Sequence, residues 1–270
     1  MTITINLFAT LAWLATWLLI GVRLRDRLQA RPLQYRHLLI LVWLAALIMH
    51  GWTIIHAISQ APGISINFTD AGSIVMWLCS LLLFAAMLSR PLETLGIFIV
   101  PFTLTAMLFP LLDSAHVNTI DLKNGLGVHI FTSLLAYSMF TLATLQALLL
   151  AWQNKHLHNH HPGGLIRTLP PLLDMEALLF KLIGLGVILL SFGLLSGALY
   201  IDNLFSQHLT HKTTLSIAAW FVFTALLLGH WHYGWRGRIA IRWALGGFFI
   251  LMLAFFGSKF VLEFLVSPPA

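Results

Sequence analysis

Long apolar runs alternate with short polar segments along the whole chain. Eight of these runs contain about 17 residues or more, which is long enough to cross a hydrocarbon core of about 30 Å as helices. They are Ile5–Val22, Leu38–Ile58, Ala71–Leu88, Leu95–Leu112, Gly125–Trp152, Ala177–Tyr200, Thr213–Gly229 and Ile239–Leu265. The pattern predicts an all-α fold with eight transmembrane helices, and residues 1–270 are expected to form a single domain.

The last two runs form the most informative stretch, His211–Phe260. A charge-free run, Thr213–Gly229, is followed by the turn sequence Gly-Trp-Arg-Gly-Arg at residues 234–238 and then by a second apolar run. This arrangement predicts a membrane hairpin with a basic turn and with a histidine at each end of its first helix, His211 and His230.

Composition supports the membrane assignment, because 59% of the residues are apolar and only 9% are charged. Soluble domains contain about 25% charged residues. The lone cysteine, Cys79, falls inside a predicted helix, which excludes a disulfide or a CxxC redox pair. The net charge of +6 comes largely from loops and helix ends that are expected to face anionic lipid, and it indicates no nucleic-acid partner.

The distribution of basic residues predicts the orientation, because Lys and Arg near helix ends are retained in the cytoplasm. With the N-terminus outside, twelve of the fifteen basic residues lie at inner loops and helix ends, and only Lys123, Lys212 and Lys259 lie outside. We therefore expect an N-out/C-out arrangement with both termini in the periplasm. The arginines between Arg23 and Arg36 are interpreted as a solvated anchor on the inner side.

Several motifs recur at fixed spacing in the second half of the chain. Lys-x-Thr-x-Ser-Ile-x-x-Trp begins at Lys212 and is followed by His230, by Gly-Trp-Arg-Gly-Arg and by Phe256-Gly257. A weaker pattern, Asn-Phe-x-x-Ala-x-Ser-x-x-x-Trp, begins at Asn67. Together they resemble the cytochrome c assembly family (the CcsA/CcmC type), and most closely its HemX-like/YpjD branch of eight-helix bacterial inner-membrane proteins. The resemblance is strongest over residues 125–262.

This resemblance implies a multi-pass protein of the bacterial inner membrane that binds haem b and works with cytochrome c maturation components. It nominates three histidines as cofactor ligands, His129, His50 and His230, and the predicted helix positions add His211, which falls where the family has an aspartate. His129 is followed by Ala136-Tyr137, as in the family's first periplasmic haem histidine. Within the family, the counterpart of His230 is paired with the histidine of the second helix, which corresponds here to His50.

The residues themselves support some of these assignments, since neutral imidazole is a good axial ligand for haem iron. The predicted helices place His129 and His211 at one level, as candidate ligands of a single iron, with His50 not far below. At a rise of 1.5 Å per residue, His230 lies roughly 25 Å from that level. The alternative interpretation is that these histidines are interfacial residues in contact with water and helix ends.

Two departures from the family pattern bear on function. The segment from Tyr200 to His211 contains no tryptophan, whereas haem-ligating members carry a tryptophan-rich motif there, and the family's last periplasmic histidine is also absent. The first hypothesis is a haem-binding or haem-handling protein that acts by coordination. The alternative is a non-catalytic membrane scaffold or regulatory partner without a cofactor. A transporter is disfavoured, because membrane-embedded acids are nearly absent.

Three further features complete the sequence predictions. No nucleophile–base pair, metal-hydrolase motif or phosphate loop occurs, so an enzyme is not indicated. The histidine-rich loop at residues 156–161 is interpreted as a solvated loop, with a zinc, copper or nickel site as the alternative. In the sixth helix, small residues are expected to support close helix packing; they are Gly184, Gly186, Gly193, Ser196 and Gly197.

Overall fold

A computed structural model of the chain describes residues 2–32, 34–59, 64–65, 67–89, 92–111, 119–120, 125–158, 168–200 and 207–257. These residues form eight α-helices: α1 (Thr2–Leu28), α2 (Arg36–Ile58), α3 (Phe68–Ser89), α4 (Glu93–Leu108), α5 (Leu126–His158), α6 (Leu172–Tyr200), α7 (Gln207–Tyr233) and α8 (Arg238–Met252). Two-residue strands, β1 (Ile64–Ser65) and β2 (Thr119–Ile120), pair antiparallel.

The helices confirm the prediction of an all-α polytopic membrane protein. Seven of them are long and apolar enough to cross a membrane, and the eighth, α4, contains 16 residues and continues into a 3₁₀ turn, Phe109–Leu111. A π-helical turn, Leu253–Gly257, follows α8. The rest of the run predicted to end at Leu265 lies outside the described residues.

The chain divides into two compact units. Unit 1 comprises Met1–Ile120 and Pro162–Leu169, and it contains α1 to α4. Unit 2 comprises Asp121–His161 and Pro170–Ala270, and it contains α5 to α8. The single domain over 1–270 stays a prediction.

Unit 1 is an up-down bundle in which α1 packs on α2 and α4, and α3 packs on the same two helices. Trp43 of α2 is fully buried in this bundle, with its ring 5.9 Å from that of Phe84 on α3. A Cβ on Gly96 of α4 would lie 2.9 Å from the Trp43 ring and 2.8 Å from Ile20 of α1. The absence of a side chain at Gly96 therefore lets α4 approach both neighbouring helices.

Pro101 lies inside α4, and the structure shows how the resulting gap in the helix is filled. Proline has no N–H, so the carbonyl four residues earlier, that of Ile97, lacks its helical donor. The indole N–H of Trp17 on α1 donates to this carbonyl at 3.0 Å. A neighbouring helix thus satisfies the freed carbonyl, as expected for a proline within a membrane span.

Arg23 differs from the sequence interpretation of a solvated anchor. Its side chain is only 3% exposed and forms two hydrogen bonds to the buried carboxylate of Glu93 on α4, Nε to Oε2 at 2.9 Å and Nη2 to Oε1 at 2.8 Å. A third bond runs from Nη1 to the Gln34 carbonyl at 2.6 Å. The neighbouring Arg25 is exposed, as predicted. The interpretation was wrong for Arg23 because its partner lies 70 residues away in sequence.

Unit 2 is a second up-down bundle, in which α5 packs on α6 and α8, and α7 packs on α6 and α8. At its centre, the rings of Phe140 on α5 and Phe223 on α7 stack with centroids 3.9 Å apart. A Cβ on Gly186 of α6 would lie 2.8 Å from the Phe140 ring, and one on Gly247 of α8 would lie 2.9 Å from the Phe223 ring. Two stacked aromatic rings are therefore enclosed between two glycines.

The expected small-residue packing on α6 is confirmed for most of its members. Gly186, Gly193 and Gly197 face Phe140, Ser133 and His129 of α5, and a Cβ at each would lie within 3.0 Å of those side chains. A Cβ on Gly184 would meet nothing within 4 Å, so Gly184 takes no part in this contact. The predicted hairpin is also confirmed, with α7 and α8 joined by residues 234–237.

Candidate functional site

The start of α5 is fixed against the end of α6. Gly125 immediately precedes α5 with a φ of 81°, a conformation that favours glycine. The Tyr200 ring occupies the space that a Cβ on Gly125 would take, at 2.6 Å. These contacts set the position of the first turns of α5, which carry His129.

His129 is held by the backbone of α6. Its Nδ1 lies 2.8 Å from the carbonyl oxygen of Gly193 and 3.3 Å from Oγ of Ser196. A carbonyl oxygen can only accept, so Nδ1 carries the hydrogen and donates it. In the neutral ring the lone pair is then on Nε2. A metal-binding histidine usually donates its other ring N–H to a carbonyl or carboxylate in this way.

The ring of His129 also packs against Gly197. A Cβ there would lie 3.0 Å from Cε1 and 3.2 Å from Nδ1, but 3.9 Å from Nε2. Nδ1 and Cε1 thus face α6 more closely than Nε2 does. The side chain is half-buried, and its neighbours Val128 and Phe131 are each 58% exposed. The imidazole is therefore oriented by α6.

His211 lies at the same end of unit 2. It is exposed and is the fifth residue of α7, which begins at Gln207. The helix starts earlier than the run predicted from Thr213, so His211 is not the N-cap of α7. Among the described residues, no hydrogen bond or ring contact joins His211 to His129. Their pairing on one iron stays a prediction.

His230 lies at the opposite end of unit 2, near the end of α7. Its Nδ1 lies 2.9 Å from the Trp235 carbonyl, to which it donates. Its ring stacks on Phe180 of α6 with centroids 3.6 Å apart. The Trp235 ring in turn covers Gly229, where a Cβ would lie 2.3 Å away. These contacts stabilise the α7–α8 turn.

His50 lies in unit 1, whereas the other three nominated histidines lie in unit 2. Its side chain is fully buried, and its Nε2 lies 2.9 Å from Oγ of Ser73 on α3. Trp13 of α1 meets the ring edge-on, with centroids 6.1 Å apart. No group of three or more His, Cys, Asp or Glu side chains suited to a metal ion occurs in the part of the chain that the structure describes.

Sequence reasoning missed the partners that orient His129, His50 and His230. Gly193 contributes a carbonyl, and a backbone acceptor leaves no trace in the sequence pattern. Ser73 belongs to the pattern that begins at Asn67, but neither Ser73 nor Phe180 is recognisable as the partner of a histidine until α3 and α6 are placed. The loop 159–161, the segment 201–206 and the end 258–270 lie outside the described residues, so the metal interpretation of the histidine-rich loop stays untested.

Comparison with known proteins identifies the family. The model of the family described as "Cytochrome C assembly protein" matches residues 38–266. The chain belongs to the cytochrome c assembly family. The match extends well before residue 125 and includes α2 with His50, so the family relationship covers more of the chain than the motifs alone indicated.

Relatives support membership of the cytochrome c assembly family. The chain is 34% identical to "Inner membrane protein YpjD" of Escherichia coli over 200 residues, which cover 74% of this chain and 76% of that protein. It is 30% identical over 95 residues to "Cytochrome c biogenesis protein CcsA" of Gloeobacter violaceus, covering 34% of this chain and 28% of that protein. No solved structure matches.

Proposed function

We propose that this chain is a haem-binding, haem-handling protein of the bacterial inner membrane that serves cytochrome c assembly. Family membership, the relative named as an inner membrane protein and the cytochrome c biogenesis relatives support this proposal. The observation that carries it is the orientation of His129, whose Nδ1–H donates to the Gly193 carbonyl. This bond leaves Nε2 as the nitrogen with a lone pair.

The residues around His129 fit a haem ligand. Half-burial keeps the imidazole accessible, and the adjacent Val128 offers exposed apolar surface on the same helix. Haem b would supply an iron centre that accepts axial imidazole ligands. The chain would contribute His129 as the principal ligand and His211 as the candidate second ligand. Binding and orientation are the tasks assigned to the protein, not covalent catalysis.

His129→Ala should abolish haem binding or turn a six-coordinate low-spin spectrum into a five-coordinate one. The protein would be purified in detergent, and haem per protein and the reduced α-band would be measured. His211→Ala should lower the haem content if it supplies the second ligand. Full haem and an unchanged spectrum in His129→Ala would show that the assignment is wrong.

His156→Ala is a matched control for this experiment. His156 lies on the same helix and also places Nδ1 near a backbone carbonyl, that of Trp152 at 3.0 Å. It lies near the other end of α5, so its replacement should leave haem content unchanged. If the unmodified chain takes up no haem even after reconstitution, the scaffold hypothesis replaces this one. The tryptophan-free segment before α7 favours that alternative.

We further propose the N-out/C-out orientation, with both termini in the periplasm. The support is the unequal distribution of basic residues between the two sides. Alkaline phosphatase fused after Ala270 should be active, since this enzyme works only in the periplasm, whereas a fusion at Gly163 should be inactive. Fluorescent-protein fusions at the same positions should give the opposite pattern. Equal behaviour of the two positions would contradict the orientation.

A further inference from the structure

Three buried side-chain nitrogen atoms in unit 1 lack a hydrogen-bond partner among the described residues. They are Nε1 of Trp13 on α1 and, on α2, Nε1 of Trp43 and Nδ1 of His50. Trp13 and His50 are both 0% exposed, and their rings meet edge-on with centroids 6.1 Å apart. Buried polar atoms are nearly always hydrogen-bonded, either to protein or to ordered water. Because the side chains of Trp13 and His50 are in contact, one shared group can satisfy both of these atoms.

The chemistry of the two rings restricts that group. An indole N–H can only donate, whereas a neutral imidazole has one donor and one acceptor nitrogen. His50 Nε2 lies 2.9 Å from Oγ of Ser73. When Nε2 carries the hydrogen and donates it to Ser73, Nδ1 becomes an acceptor. A group that accepts from Trp13 and donates to His50 then satisfies both nitrogens.

We propose that Trp13, His50 and Ser73 form an internal water site in unit 1, and that His50 is therefore not an iron ligand. One water molecule accepts the Trp13 N–H and donates to His50 Nδ1. Water has both hydrogen-bonding roles, and buried waters commonly bridge two to four polar groups inside proteins. A charged ligand fits less well, because burial of an uncompensated charge is costly and the three side chains are neutral in this arrangement.

The surroundings of His50 do not fit a porphyrin. An iron ligand needs a lone pair on a nitrogen that a large flat macrocycle can approach. The His50 side chain has no exposed surface, in contrast to the half-buried His129. In the proposed arrangement Nε2 donates to Ser73, so only Nδ1 has a lone pair, and the water uses that lone pair. The water site and iron coordination exclude each other.

A double-mutant cycle tests the water site. Trp13→Phe removes the indole N–H and keeps an aromatic ring. His50→Gln keeps an N–H group for Ser73 and removes the counterpart of Nδ1. Each single variant should lower the Tm of the detergent-purified chain. The double variant should lower it little more than the more damaging single variant, because either change already removes the bridge. Additive Tm shifts would overturn the proposal.

Two independent readouts keep the test decisive. His50→Gln should retain the haem content of the unmodified chain, and selective haem loss from a folded His50→Gln protein would overturn the proposal. An experimental density map that resolves waters should show one at about 2.7–3.2 Å from both nitrogens. A protein group bonded to either nitrogen would contradict the site. If the unmodified chain binds no haem, that result counts against the proposed function. The double-mutant cycle and the density map would still test the water site.

Discussion

Replacing Arg23 with alanine should destabilise unit 1 by about 3–5 kcal/mol, because it leaves a buried carboxylate without its main counter-charge. Arg23 and Glu93 are 3% and 5% exposed, and two hydrogen bonds join them. Arg27 also reaches Glu93, at 3.4 Å, but its side chain is 20% exposed. Arg27 can therefore offset only part of the loss.

The measurement is the free energy of unfolding of the detergent-purified chain. Arg25→Ala is the matched control, because Arg25 lies two residues away on the same helix and is exposed. It should change the stability by less than about 1 kcal/mol, as is usual for an exposed charge. Adding Glu93→Gln to the Arg23→Ala chain should restore part of the stability, since no unpaired charge then remains buried. Equal effects of Arg23→Ala and Arg25→Ala would contradict the buried pair.

The sequence did not predict the Arg23–Glu93 pair. Charge counts near helix ends predict orientation well because they depend on the sum over many residues. They do not show which single arginine turns inward, since that depends on the contact between α1 and α4. Glu93 is the first residue of α4 and is an obvious candidate only after the two helices are placed together.

Helix positions were predictable for a different reason. A membrane span needs a long apolar run, and such a run can be recognised in the sequence without knowledge of tertiary contacts. The run that contains Pro101 forms one helix, and Trp17 supplies the missing donor to the Ile97 carbonyl. The helix ends were less predictable: α7 begins six residues before Thr213, so His211 lies within the helix.

The candidate site was predictable at the level of residue type. A histidine at the start of α5 marks a possible ligand, and the family motifs single out His129. The tautomer depends on the Gly193 carbonyl, and the space for the ring depends on Gly197, both on α6. Neither contact can be inferred without the packing of α5 on α6. The sequence likewise does not show that the side chain of His50 is fully buried whereas that of His129 is half-buried.

Glycine spacing on α6 shows how packing distinguishes residues that look equivalent in sequence. Gly184 and Gly186 are two positions apart, so their Cα–H groups point to opposite sides of the helix at 3.6 residues per turn. Of the two, only Gly186 faces the Phe140 ring, which stacks on Phe223. The pattern of small residues assigned both glycines to one packing surface, whereas the structure places Gly186 on that surface and Gly184 away from it.

Gly186→Ala should therefore destabilise unit 2 by about 1–3 kcal/mol, the usual cost of overpacking a core. The added Cβ would lie 2.8 Å from the Phe140 ring. Phe140 is fully buried and stacks on Phe223, which Gly247 limits from the other side, so neither ring can move away easily.

Gly184→Ala is the matched control on the same helix. Its Cβ would meet nothing within 4 Å, so the substitution should leave the stability unchanged or raise it by up to about 1 kcal/mol through helix propensity. Unfolding of both variants would be followed by circular dichroism in the same detergent. Because both changes add one methyl group to one helix, a difference between them reports the packing against Phe140 and not the general effect of removing a glycine. Equal stability of the two variants would show that the rings are not enclosed as described.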